Sequence, residues 1–115
     1  MIIGIEKIAP CDMQVKDLVG WLYERYHNIV ITSGFRTPAA NEAIKNSSKV
    51  SQHCLGLAVD LAAPGHNLIV LAGLAITNFP AIHGVGQDVY KKYVHLDFRV
   101  DPYREWVYGK DGKEC

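Results

Sequence analysis

The chain has 115 residues, 49% hydrophobic and 21% charged. That size and balance give one ordinary globular core and exclude a disordered chain. Formal net charge is zero, so no basic field recommends DNA or RNA, and any substrate must be recognised locally.

In chain order, Asp12 to Tyr26 places Leu18, Leu22 and Tyr23 near helical spacing, with Asp12 as the N-cap. Ile29 to Thr32 is a short β-branched run and predicts a strand that Gly34 ends. Thr37-Pro38 opens a second helix, with Thr37 as cap and Pro38 at the first helical position, running to about Ile44. Asn46 to Gln52 is polar and loop-like, and Leu57 to Ala62 reads as a strand. Asn67 to Thr77 predicts an apolar helix stopped before Pro80. Ile82 to Gly86 and Tyr93 to Arg99 form the last strands, a hairpin across Gln87 to Lys92. The tail, Pro102 to Cys115, carries Trp106 as its anchor, then Tyr108, and ends in polar residues that fray. The expectation is an α+β domain over residues 1–115, an antiparallel sheet with helices packed on one side.

No apolar run approaches the length of a membrane span, so no membrane partner is expected. The N-terminus lacks the basic start, longer apolar stretch and cleavage site of a signal peptide, which predicts synthesis in the cytoplasm. Cys11, Cys54 and Cys115 form no spaced pattern and read as free thiols, with Cys54 a packing residue.

Two segments carry chemistry. In Tyr93 to Arg99, Val94, Leu96 and Phe98 alternate with His95, Asp97 and Arg99. A strand puts the first set into the core and the second, an imidazole, a carboxylate and a guanidinium, on the opposite face. The bland alternative is a solvated strand face with an Asp–Arg pair. In Ser51 to Asp60, Leu57 and Val59 face the core, so Ala58 and Asp60 face away, and small Ala58 leaves room above the sheet. His53, seven residues before Asp60, falls on the wrong face of a straight strand, and a turn at Gly56 brings it back. Two imidazoles and one carboxylate suit zinc, and three protein ligands leave the fourth position open, as in catalytic rather than structural sites.

The pattern Ser51-x-His53-x-x-Gly56-x-Ala58-x-Asp60, followed by His95-x-Asp97, resembles the zinc D-Ala-D-Ala carboxypeptidase group. That group includes the D-alanyl-D-alanine dipeptidases and phage L-alanyl-D-glutamate endopeptidases, and its fold is related to the hedgehog signalling domain. Upstream, Ser33-Gly34-Phe35-Arg36 is similar to the group's Ser-Gly-Tyr/Phe-Arg segment. The resemblance implies one zinc per chain on His53, Asp60 and His95. It implies that Arg36 reaches the cleft and binds a substrate carboxylate or the developing oxyanion, against the alternative of a surface salt bridge. It makes Ser51 a hydrogen-bonding, substrate-side residue, against a local turn or cap.

One position departs from the group. Several members carry an acid or histidine three residues before the second histidine ligand, and Lys92 stands there. Asp97 is the nearest acidic candidate for the base, or it orients the ring of His95. His83 and Asp88 are further candidates from the neighbouring hairpin. The activity implied is hydrolysis of peptidoglycan stem peptides by a monomer, at the cell wall after holin-type release, as in a phage or prophage lysis protein. The alternatives are a catalytically silent zinc-binding module and a structural phage component.

Overall fold

The structure is a computed structural model and describes residues 1–42 and 51–111. Helix α1, Met13–Tyr26, starts where the Asp12 side chain accepts a hydrogen bond from the Gln14 N–H at 3.0 Å, and it ends at His27, whose φ is 63°. Its buried face is Val15, Leu18, Val19 and Leu22, the spacing of one helical stripe. Tyr23, expected on that face, is exposed, because Val15 and Val19 complete the stripe in its place. Helix α2, Pro38–Glu42, is capped at Thr37, whose Oγ1 accepts from Ala40 N–H at 3.2 Å. Its expected continuation to Ile44, the start of the Asn46–Gln52 loop and the frayed end at Cys115 lie outside the described residues. Helix α3, Leu68–Asn78, begins at Asn67, whose Oδ1 accepts from the N–H groups of Ile69 and Val70, and it stops two residues before Pro80.

Six strands form one sheet: β1 Ile2–Ile3, β2 Ile29–Ser33, β3 Ala58–Ala62, β4 Gly84–Asp88, β5 Tyr93–Asp97 and β6 Arg104–Tyr108, in the order β1-β2-β3-β5-β4-β6. The four inner strands pair antiparallel, while β1 joins β2 and β6 joins β4 in parallel. The sheet is therefore mixed, not antiparallel as expected. Both edges explain the difference. The chain leaves β1 through a 3₁₀ turn, Ile5–Ile8, and α1 before it reaches β2, a crossover that brings it back in the same direction. Beyond β5 both neighbouring places are taken by β3 and β4, so β6 takes the free edge of β4.

One face of the sheet is the core. Ile29, Ile31, Val59, Leu61, Val85, Val94 and Leu96 pack against Val15, Leu18, Val19 and Leu22 of α1 and Leu71, Ala72 and Ala75 of α3. Each fully buried Leu or Ile contributes on the order of 1.5–3 kcal/mol, so this layer holds the fold and leaves the other face free for polar groups. Cys11 joins the core, where burial pushes its thiol up, and Cys54 is half-buried. Both are free thiols. Among the described residues no helix is long and apolar enough to cross a membrane.

Candidate metal centre

The polar face carries the two chemical segments side by side. Antiparallel pairing sets Asp60 of β3 opposite His95 of β5, His95 opposite Gly86 of β4, and Gly86 beside Trp106 of β6. On the other flank a register shift between Ile31 and Ser33 brings Ser33 opposite Asp60. Core residues Val59, Leu61, Val94 and Leu96 point the other way, as the alternation in both segments predicts.

His53 arrives from outside the sheet. It lies in a 3₁₀ turn, Gln52–Leu55, that Ser51 caps by accepting from His53 N–H at 3.1 Å. Gly56 ends the turn with φ 70°, a left-handed conformation that glycine adopts at least cost, and so the chain reverses into β3. The backbone N–H of Arg36 donates to the His53 carbonyl at 3.2 Å, which ties the Ser33–Arg36 segment to the same turn.

His53 Nδ1 lies 2.7 Å from the Gly34 carbonyl oxygen. A carbonyl only accepts, so Nδ1 carries the proton and Nε2 presents its lone pair. That Nε2 is buried, makes no hydrogen bond among the described residues, and faces Asp60 Oδ1 at 3.3 Å. Two acceptors held face to face in a buried site repel each other unless a proton or a cation sits between them.

His95 completes the group. Its Nδ1 is 2.8 Å from Asp60 Oδ1 and its Nε2 is 2.6 Å from Asp97 Oδ2. One ligand atom from each of His53, Asp60 and His95 falls within a set no wider than 4.8 Å. The donors, two imidazole nitrogens and one carboxylate oxygen, are those zinc takes at about 2.0–2.2 Å in open tetrahedral sites. The residues present therefore fit a metal, with His53 through Nε2 and His95 through Nδ1.

Asp97 is fully buried and saturated. Its Oδ1 accepts from the backbone N–H and Nε of Arg99 at 3.1 and 2.9 Å, and its Oδ2 accepts from Arg99 Nη2 at 2.7 Å besides facing His95. Burial alone would raise its pKa, but Arg99 and His95 outweigh that and hold the carboxyl well below its usual range. For Asp60, too, burial is more than offset once the His53 and His95 rings carry protons toward it, the proton between His53 Nε2 and Asp60 then relieving their repulsion. For His95, burial lowers the pKa, while Asp60 and Asp97 together drive it up to about 9.

These shifts fix a pH dependence for the metal-free protein. A histidine raised from 6.5 to about 9 on folding stabilises the fold fully below pH 6.5 and loses that contribution as pH rises through about 9. Asp60 and Asp97, depressed on folding, stabilise it above their ordinary 3.8 and lose this as pH falls. Urea unfolding in chelator should therefore show stability falling from pH 6.5 to 9. A flat or rising profile would contradict the arrangement around His95.

The remaining candidates sit elsewhere. Asp88 Oδ1 accepts from the N–H groups of Tyr90 and Lys91 and so closes the β4–β5 turn. Lys92 is exposed in that turn with φ 60°. His83 Nδ1 lies 3.0 Å from the Asp101 carbonyl. Arg36 Nε is buried without a hydrogen-bond partner among the described residues, in a side chain that is half-buried.

Two aromatic residues outside the sequence motifs, Tyr93 and Trp106, join the site. Tyr93 lies two residues before His95 and so on the same face. Burial first, then the neighbouring Asp60, Tyr108 and Asp88, push its phenol above the ordinary value, so it stays a neutral donor. The period-2 pattern of β5 already contained that signal. Trp106 packs its ring 5.1 Å from that of His95. Its place in the tail marks it only as an anchor, because nothing local reveals that β6 pairs with β4.

The His53–Asp60–His95 group on the polar face of this α+β sheet is one that could hold a metal ion. The Peptidase M15 family model matches residues 4–97, and the chain belongs to that family. No curated protein and no solved structure matches it. It is accordingly a protein of a metallopeptidase family, and membership implies a peptide substrate.

Proposed function

We propose that the protein is a zinc-dependent peptidase that hydrolyses peptidoglycan stem peptides at bonds involving D-residues. The observation that carries this reading is the buried, unpartnered His53 Nε2 facing Asp60 beside His95, in a chain of the Peptidase M15 family. His53, Asp60 and His95 would hold one zinc. When bound, zinc supplies Lewis acidity, making a water more acidic and polarising a carbonyl. The peptidoglycan assignment rests on the likeness of the Ser51–Asp60 and Ser33–Arg36 segments to cell-wall peptidases, and so does action at the wall in phage lysis.

The chain's own groups then divide the work. Gly34 and Ser51 hold His53, so Ser51 acts through the turn it caps rather than on substrate. Asp97, with every lone pair engaged, orients His95 instead of serving as base. Arg36, with its unpartnered Nε beside the His53 turn, binds a substrate carboxylate or the developing oxyanion. Arg36→Lys should keep the melting temperature and lose roughly 10²–10³-fold in kcat/KM, the scale of one missing oxyanion donor. Unchanged kinetics would return Arg36 to a surface role.

A second reading is favoured by the saturation of Asp97 and the exposure of Lys92, which leave no base among the described candidates. It is a zinc-binding module that does not hydrolyse. Metal analysis of protein purified without chelator, paired with digestion of purified peptidoglycan read by mass spectrometry, separates the two. About one zinc per chain with new cleaved stem peptides supports the peptidase. Zinc without cleavage supports the silent module, and protein without zinc overturns the site.

A further inference from the structure

The family match ends at residue 97, and β6 lies beyond it. This strand nevertheless reaches the metal centre. Trp106 is in register with Gly86 of β4, and Gly86 with His95 of β5. A Cβ on Gly86 would fall 2.5 Å from both Nε1 and Cε2 of the indole. The indole therefore occupies the space above Gly86, on the way across β4 to the imidazole, and only a residue without a side chain lets it lie there.

The same solution recurs one step along β4. A Cβ on Gly84 would fall 2.2 Å from the Asp97 carboxylate. The two glycines of Gly84-Val85-Gly86 thus make room for the two groups that touch His95 on this side, the carboxylate at its Nε2 and the indole beside its ring. Arg99 links them. It grips Asp97 through two guanidinium nitrogens, and its guanidinium carbon lies 5.2 Å from the Trp106 ring. Arg104 lies 4.9 Å from that ring. Cation–π contacts of this kind fix the indole as well as adding energy.

We propose that Trp106 is a positioning residue for the metal ligand His95, laid across Gly86 by β6 so that the imidazole keeps the orientation that presents Nδ1 to Asp60 and His53. The inference rests on the zinc site proposed above. Hydrogen bonds at Nδ1 and Nε2 fix the two edges of the His95 ring, and His53 packs on it at 5.1 Å between centroids. Trp106, at the same 5.1 Å, supplies a further wall. Truncation would remove that wall, and a ligand free to turn binds metal more weakly.

The test measures zinc dissociation constants by competition with a chromophoric chelator, alongside the melting temperature of the metal-free protein. Trp106→Ala should weaken zinc by about 10-fold or more, and Trp106→Phe should recover most of the loss. Gly86→Ala, which leaves residue 106 intact but expels the indole, should reproduce the alanine effect. In Trp21→Phe protein, where Trp106 is the remaining tryptophan, its emission should change on zinc addition. Wild-type affinity in Trp106→Ala and Gly86→Ala, with only a lower melting temperature, would reduce Trp106 to a structural residue and overturn the proposal. If those variants do not fold, unchanged Trp106 emission at saturating zinc overturns it, and a change supports it. Wild-type protein that binds no zinc overturns the site itself, a different result from equal binding by wild type and variants.

Discussion

His53→Ala is expected to remove the metal and the activity together while the sheet stays folded. His53 enters the site from a 3₁₀ turn, not from the sheet, and none of the strand pairings involves it. Its ring is 2% exposed, so its loss leaves a cavity, but it also removes a lone pair from in front of the Asp60 carboxylate. The two effects oppose each other in the metal-free protein, and its unfolding midpoint should change little compared with the loss of metal. Zinc affinity should fall by more than about 100-fold, the upper end of what losing an outer partner of a ligand costs. Peptidoglycan cleavage should fall below detection. His66→Ala is the control, since His66 is exposed, packs on Tyr26 and lies outside the group. Metal analysis of the two variants decides the matter: full zinc retention by His53→Ala would remove His53 from the site.

Local pattern made much of this site legible, and pairing made the rest invisible. The alternation of Val94, Leu96 and Phe98 with His95, Asp97 and Arg99 separates core from polar face within one strand, and the structure keeps that division. Asp12, Thr37 and Asn67 mark helix starts by local chemistry that needs no tertiary contact. The turn at Gly56 followed from the wrong phase of His53 in a straight strand. By contrast, Asp60 and His95 are 35 positions apart, and no local signal states that they face each other across β3 and β5. Strand β1 has two residues, too few for a period to show. Strand β6 is an edge with mostly exposed positions, so Arg104–Tyr108 lacks the buried alternation that identifies an inner strand. Missing β6 meant missing both the parallel edge and the place of Trp106.

Asp97→Asn is expected to weaken zinc binding by roughly 10–100-fold, with activity restored by excess metal. The reason lies in the four donors that converge on the carboxylate. Oδ1 takes the backbone N–H and Nε of Arg99, and Oδ2 takes Arg99 Nη2 and His95 Nε2. Asparagine replaces one of these oxygens by an NH₂ group, itself a donor. If the nitrogen takes the Oδ2 place, it confronts His95 Nε2, and the ring loses the acceptor that fixes its tautomer. If it takes the Oδ1 place, the His95 bond survives but two Arg99 donors are left without an acceptor. Either way a neutral amide replaces the carboxylate paired with half-buried Arg99, so part of the roughly 3–5 kcal/mol that breaking a buried pair outright costs should appear as a lower melting temperature beside the weaker zinc. The base role predicts something else: zinc bound as in the wild type and turnover down by on the order of 10²–10⁴-fold, with no rescue by metal. Chelator competition and peptidoglycan cleavage across a zinc titration distinguish the two. Wild-type zinc affinity with unrescued turnover would make Asp97 the base. Wild-type values in both measurements would remove it from the site.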